Sequence, residues 1–409
     1  MLSGPARTIA VVCAAQTLAQ LGAFTFPALL PSFIDEWQLS HSEAGWLAGI
    51  FFGAYCVSVP FLVTLTDRIS ARRIYMLAVA LTSCSHLGMA WLADDFWTGM
   101  LFRALAGIGW AGTYMVGLRA LSDELEGATR SRGVALHAAS IGVSGALSFL
   151  IAGLVSGWFD WHWAFCLVAL GSLCAMVITW LAFPRREPTV SESAAGALLD
   201  FRPVFRNRSA MAYSTGYLVH TWEMFVLRSW AVTFLVFAAG SADLVTLIVV
   251  PTIAAMLMEL TGTVTSVAGN EVALRIGRQR WIMTVMFCSM ILATLVGFSS
   301  GQGYGVALVM VLIYNGLIYA DSSSLTAGAI GSADPERRGA TLAVHGMMGY
   351  GGGFIGPVVM GVLIDALGGE SVEAWGLGFA HVALVVAVGL LGLWWLKPKD
   401  LDGDRSTKA

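Results

Sequence analysis

TDRISARR (Thr66–Arg73) is a short charged island between two long apolar runs, 43–66 and 74–93. Its echo, LRIGRQR (Leu274–Arg280), follows another apolar run 207 residues later, counted from Asp67 to Leu274. A second pair keeps nearly the same spacing: RSRG (Arg130–Gly133) and ERRG (Glu336–Gly339) start 206 residues apart. Two motif pairs at one offset indicate an internal duplication. The longest polar interval, 184–209, lies between the copies and splits the chain into similar halves.

Composition says what is duplicated. The 409 residues are 57% hydrophobic and only 12% charged, and the mean hydropathy is +0.74. A soluble domain carries about 25% charged residues. Apolar runs of about 20 residues recur from end to end, long enough to cross a bilayer as helices. In lipid a spanning segment must satisfy its own backbone hydrogen bonds, so each run is read as a helix. Twelve spans are expected: 8–30, 43–66, 74–93, 97–118, 134–157, 163–183, 210–238, 243–267, 281–299, 304–328, 339–364 and 374–396. The expected fold is an all-α membrane protein of twelve transmembrane helices in two pseudo-symmetric six-helix bundles. Its parts are an N-terminal half (1–183), a cytoplasmic linker (184–209), a C-terminal half (210–396) and a cytoplasmic tail (397–409). FRPVFRNR (Phe201–Arg208) reads either as a short amphipathic helix at the lipid surface or as plain linker.

Charge sets the orientation. With both termini on the cytoplasmic side, every Lys and Arg falls in an inner segment except Arg103 and Arg228, which lie within spans. Positive residues are retained on the cytoplasmic side of a membrane, so this sorting supports the span count and the orientation together. The net charge of −3 carries little information, because the charges are separated by side. All six cysteines fall in predicted spans without metal-ligand spacing and read as packing residues. The first apolar run contains Gln16, Gln20 and prolines, and reads as a functional helix rather than a cleaved leader. HTWE (His220–Glu223) lacks the second histidine of a zinc-binding helix, and no phosphate-binding loop is present. Neither an enzyme, a metal, a cofactor nor ATP-driven transport is expected. The basic residues are spread over loops, so no nucleic-acid partner is expected either.

Several motifs resemble the major facilitator superfamily, over the whole chain. That family's loop between helices 2 and 3 has the pattern G-x-L-x-D-R-x-G-R-K/R. Here Leu65, Asp67, Arg68, Arg72 and Arg73 match, while Val63 and Ser70 replace the glycines. The second copy keeps Arg275, Gly277, Arg278 and Arg280 but has Leu274 for the aspartate. Helix 4 carries R-x-x-x-G-x-G as Arg103, Gly107 and Gly109, and WHWAF (Trp161–Phe165) resembles the family's W-R-W-x-F. The G-P-x-x-G-G of many drug/proton antiporters is missing: helix 5 reads GVSGALSFLIAG (Gly142–Gly153), and a G-P pair stands instead in helix 11 (Gly356–Pro357). The resemblance implies a secondary transporter of the bacterial inner membrane, expected as a monomer, working by alternating access around a site near the midplane.

Ionisable residues inside spans are costly, so they need a partner, a water-filled cavity or a neutral form. GYLVHTWEMFVLRSW (Gly216–Trp230) holds His220, Glu223 and Arg228. His220 and Glu223 lie about 60° apart on a helix and share a face, whereas Arg228 is about 140° from Glu223. His220 and Glu223 are therefore candidate substrate or proton groups. Arg228 reaches an outer gate or a carboxylate on another helix, or snorkels. Arg103, in helix 4, offers a permanent cationic fork for a carboxylate or oxyanion. The resemblance puts substrate or proton handling at this position. Asp321 lies in helix 10 with Asn315 and Tyr319. Out of water a carboxyl is more easily held neutral, so Asp321 or Glu223 would suit proton coupling. Gln16 and Gln20 form one stripe on helix 1 and are candidate cavity-lining amides. Glu259 and His137 rank below these; His86, His162 and His381 read as structural.

A second set reads as a cytoplasmic gate: Asp67, Arg68, Arg72, Arg73, Asp123, Arg275, Arg278, Asp334 and His345. By resemblance, Asp67 faces the positive N-terminus of helix 11, an arginine pairs with Asp123, and Arg275 or Arg278 pairs with Asp334 or Glu336. The GYGGG run (Gly349–Gly353) lets helix 11 approach its neighbours closely and bend. The function expected is proton-coupled transport of a small anion or zwitterion. A drug or metabolite efflux antiporter and a non-transporting membrane sensor are the alternatives.

Overall fold

The computed structural model describes residues 4–66, 68–183, 201–240, 244–334, 337–399 and 401; the side chains of 64, 128, 131 and 244–249 are outside that description. Among the described residues the structure is helical, without strands. The helices are α1 (Gly4–Ala19), α2 (Thr25–Ala28), α3 (Leu30–Glu36), α4 (His41–Leu65), α5 (Ala71–Trp91), α6 (Phe96–Glu124), α7 (Gly127–Trp158) and α8 (Trp161–Ala182). They continue with α9 (Arg202–Arg206), α10 (Arg208–Ala239), α11 (Leu244–Ile276), α12 (Arg278–Ser299), α13 (Tyr304–Tyr319), α14 (Ser322–Gly331), α15 (Arg338–Ala366) and α16 (Val372–Leu396).

Ten helices are long and apolar enough to cross a membrane by length and composition. Of the twelve expected spans, the two that fall short have identifiable reasons. α6 is 29 residues long but carries Arg103 and Arg119 along its length. The first span is broken: α1 stops at Ala19, and the chain turns through residues 20–24 before α2 and α3. Pro27 and Pro31 interrupt the hydrogen-bond ladder there. The freed amide of Phe24 donates to Ser148 Oγ on α7 at 3.0 Å, which pins the turn inside the protein. Non-helical backbone at membrane depth is tolerated only with such partners. The span expected as 304–328 is also two helices, α13 and α14, meeting at Ala320 and Asp321.

Helix starts follow local chemistry. Asp95 and Thr98 form a capping box on α6. Asp160, Asn207 and Ser371 cap α8, α10 and α16. Gly240 ends α10 at φ 67°, a conformation costly for residues with a Cβ. FRPVFRNR contains α9, with Val204 buried and Phe205 exposed, as the amphipathic reading expects. The rest of 184–200 lies outside the described residues.

The chain forms two compact units. Unit one is Met1–Gln38, Ile50–Ser191 and Leu244–Glu259; unit two is Leu39–Gly49, Glu192–Asp243 and Leu260–Ala409. In unit one α5 packs on α6 and α8, and α1 on α6, α7 and α8. One core cluster there gathers Val12, Tyr75, Val116, Leu121 and Phe183. In unit two α10 packs on α15 and α16, and α12 on α13 and α16. Glycines allow the closest approaches: a Cβ at Gly107 would meet the Phe51 carbonyl, and one at Gly352 the Leu218 carbonyl.

Candidate functional site

Unit two places its polar residues around the middle of α10 and the α13–α14 break. His220 and Glu223 are both buried on α10. Asp321 sits at the break, also buried, and its Oδ1 lies 2.9 Å from His220 Nδ1. The interrupted helix thus brings a carboxylate to an imidazole 101 positions earlier in the chain. Ser289 Oγ on α12 donates to Glu223 Oε2 at 3.3 Å, and the Tyr314 hydroxyl on α13 faces the same carboxyl. Glu223 Oε1 has no hydrogen-bond partner among the described residues. Asp321 and Glu223 are close enough to feel one another electrostatically. Two carboxyls and one imidazole are thus gathered in one buried place, where an ionisable group needs a partner.

Aromatic rings frame this cluster. Tyr319 stands edge-on to His220 at 6.5 Å, and the Arg228 guanidinium lies 5.5 Å from the Tyr319 and Phe225 ring centroids. Arg228 therefore reaches the same tyrosine as His220, on α13. Asn315 is buried on α13 as well. His345, expected at the gate, is buried on α15. Its Nδ1 is 3.4 Å from Ser214 Oγ, its Nε2 is 3.4 Å from Thr326 Oγ1, and Tyr217 stacks on it at 4.1 Å. Tyr217 in turn stacks towards His220 at 5.7 Å.

Unit one holds the second polar group. Arg103 is buried on α6, its guanidinium 5.0 Å from the Phe26 ring and 4.8 Å from the Phe51 ring. Such a cation is stabilised by ring faces without losing its hydrogen-bonding fork. Gln20, just past the end of α1, donates to Thr113 Oγ1 at 3.4 Å. Gln16 is fully buried, and neither amide atom has a hydrogen-bond partner among the described residues. A void of about 10 Å3, the size of one water, is lined by Gln20, Thr82, His86 and Trp110. His137 is buried and stacks on Tyr114 at 5.4 Å. Glu259 is buried against α7, where a Cβ at Gly145 would come 2.8 Å from its Oε2.

The expected gate residues are partly engaged elsewhere. Asp67 lies outside the described residues, as does Glu336. Arg72 donates to the carbonyls of Thr179, at 3.2 Å, and Trp180, at the C-terminal end of α8. Asp123 is held by Arg119 on its own helix at 3.0 Å. Arg278 donates to Asn270 Oδ1 at 3.1 Å and to the Ser324 carbonyl at 3.3 Å. Arg68, Arg73, Arg275 and Asp334 are exposed.

Sequence reasoning did not single out Ser289 and Tyr314, which meet the Glu223 carboxyl. Tyr314 adjoins Asn315, and a tyrosine beside a polar intramembrane residue was a usable signal. Ser289 carried none, because a lone serine in an apolar run is ordinary packing.

The Major Facilitator Superfamily model matches residues 12–333. The chain belongs to the major facilitator superfamily. Human protein spinster homolog 1 is 25% identical over 240 residues, covering 56% of this chain and 46% of that protein. The niacin transporter NiaP of Acinetobacter baylyi is 23% identical over 150 residues, covering 37% and 34%. The chain thus spans about half the length of the spinster relatives it matches. A solved bacterial homologue of the human lysosomal transporter Spinster, in an inward-facing and occupied conformation, superposes with a TM-score of 0.76 at 15% identity, covering 99% of this chain and 100% of that one. The nucleoside transporter NupG gives 0.75 at 15% identity, covering 95% and 99%. The fold is that of this superfamily, and the protein is a multi-pass integral membrane protein of a transporter family.

Proposed function

We propose that the protein is a proton-coupled secondary transporter of a small anionic or zwitterionic solute, working by alternating access of two six-helix halves, 1–183 and 210–396. The observation that carries this reading is the buried Glu223–Asp321–His220 cluster at a helix break. Carboxyls and an imidazole in such a place can take a proton from one side and release it to the other. Arg103, held between two rings in unit one, supplies a cationic fork for the solute's carboxylate or oxyanion. A niacin transporter among the relatives supports a small-solute cargo. We place the protein in a bacterial inner membrane with both termini cytoplasmic, on the sorting of Lys and Arg. No catalytic step is assigned to any residue.

The test is thermal stabilisation of the purified protein, at acidic and neutral pH, by small carboxylates, inorganic anions, amino acids, sugars and lipophilic cations. An anion should stabilise the wild type and fail to stabilise Arg103→Gln. That anion should then enter proteoliposomes with protons in the wild type and not in Glu223→Gln. Stabilisation by lipophilic cations alone, lost in Glu223→Gln, would overturn the anion reading in favour of drug efflux.

A further inference from the structure

The first turn of α4 is capped from a distant part of the chain. A helix start leaves several backbone N–H groups without partners. Ser40 and Glu43 satisfy some locally: Ser40 N–H and Oγ–H both donate to Glu43 Oε2 at 2.8 Å, and Glu43 N–H donates to Ser40 Oγ at 3.2 Å. The amides of His41 and Ser42 are taken by Asp365, near the end of α15 and 324 residues from His41. His41 N–H donates to Oδ1 at 3.0 Å and Ser42 N–H to Oδ2 at 2.7 Å. The His41 ring adds a third contact, Nδ1 to Oδ1 at 2.9 Å. Both carboxylate oxygens are therefore committed to one helix N-terminus, where the helix dipole strengthens the bonds.

The contact continues along α4 and α15. A Cβ at Gly45 would meet the Pro357 carbonyl, one at Gly49 the Phe354 carbonyl, and one at Gly361 the His41 carbonyl. Trp230 stacks on His41 at 6.3 Å and donates Nε1–H to the same Pro357 carbonyl at 3.1 Å. Leu39–Gly49 accordingly belongs to unit two, while the rest of α4 belongs to unit one. One helix is thus shared, and its first nine residues, His41–Gly49, group with α15.

We propose that Asp365 is a latch: by capping α4 it holds the first third of that helix to α15, and this bond must break before the face at which α4 begins can open. The inference rests on the alternating-access reading above. Protonated or amidated, the side chain loses an acceptor and the charge that the helix N-terminus favours. The charged and titratable groups facing it are His41 on α4 and, through His41, Glu370 after α15.

The experiment compares wild type, Asp365→Asn, His41→Ala and Asp67→Asn by two readouts. The first is hydrogen exchange of the His41–Gly49 amides in the purified protein. The second is labelling of a reporter, Ala19→Cys in a chain with its six cysteines replaced by serine, by a membrane-impermeant maleimide applied to either face of the membrane. Asp365→Asn should speed exchange at His41–Gly49 by about 5-fold, the loss expected for a helix cap, and leave 50–63 unchanged. It should also raise reporter labelling from the face where α4 begins. His41→Ala keeps the two backbone bonds and should give a smaller change in the same direction. Asp67, which the sequence places just past the opposite end of α4, should shift labelling the other way when changed to Asn. Unchanged exchange in Asp365→Asn overturns the latch. Faster exchange with unchanged labelling also overturns it, because the carboxylate is then only a cap. A shift with Asp67→Asn but not with Asp365→Asn removes the latch and leaves alternating access standing. No shift with either removes both.

Discussion

Breaking the His220–Asp321 contact tests whether unit two holds a real buried pair. The two atoms are 2.9 Å apart, and both side chains are almost fully buried. Removing one member of a buried ion pair leaves the other charge uncompensated, at a cost of about 3–5 kcal/mol. Removing one member of a neutral hydrogen bond costs about 1–3 kcal/mol. Asp321→Asn keeps the shape of the side chain and changes only its charge, so it separates these cases. His220→Gln does the same from the other side. If the pair is ionised, each single variant should lose about 3–5 kcal/mol. The double variant should then lose clearly less than the sum, because it leaves no charge stranded. The assay is a double-mutant cycle on unfolding free energies of the purified protein in mixed detergent micelles, with all four forms under one condition. A coupling energy of about 1 kcal/mol or more supports the pair. Losses that add within about 0.5 kcal/mol refute it, and the helix break then positions Asp321 for something other than His220.

Three further outcomes are expected. Glu223→Gln should abolish proton-coupled uptake in proteoliposomes while expression and thermal stability stay near wild type; full proton-coupled activity in this variant would remove Glu223 from the mechanism. Asn207 accepts from Ala210 N–H at 3.1 Å and donates to the Ser332 carbonyl at 2.7 Å, so Asn207→Ala should cost about 1–2 kcal/mol in the same unfolding assay, and a loss below about 0.3 kcal/mol would contradict the cap. Asp95 sits below the usual aspartate range, held there first by the Thr98 hydroxyl and then by the Thr98 amide. A depressed carboxyl contributes stability above its ordinary pKa and loses it as pH falls through the lowered value. Protection of the Thr98 and Gly99 amides should therefore be constant above about pH 5 and fall below about pH 4, with no such step in Asp95→Asn.

The sequence by itself determined the class of fold and the places where charge had to be explained. Span length, composition and the sorting of Lys and Arg are local sums, readable without knowing what lies opposite each helix. The same holds for the angle between neighbours on one helix, which is how His220 and Glu223 are read as sharing a face; in the structure His220 meets Asp321 and Glu223 meets Ser289. The family followed from TDRISARR, its echo and the arginine–glycine pattern of helix 4, and the superfamily match covers all three.

The tertiary structure decided what those residues touch. Asp321 was expected inside one continuous helix; the structure ends α13 at Tyr319 and turns the carboxylate onto His220. Gln20 likewise lies just past the end of α1, in a stretch pinned by Ser148. Helix breaks at membrane depth depend on which neighbouring groups can satisfy the released backbone, and that information is absent from the broken segment. Asp365 passed unnoticed because its partners, two backbone amides at the start of α4, carry no side-chain signature. Composition and periodicity fix which surfaces must be buried. Pairings between residues hundreds of positions apart exist only once packing has chosen the neighbours.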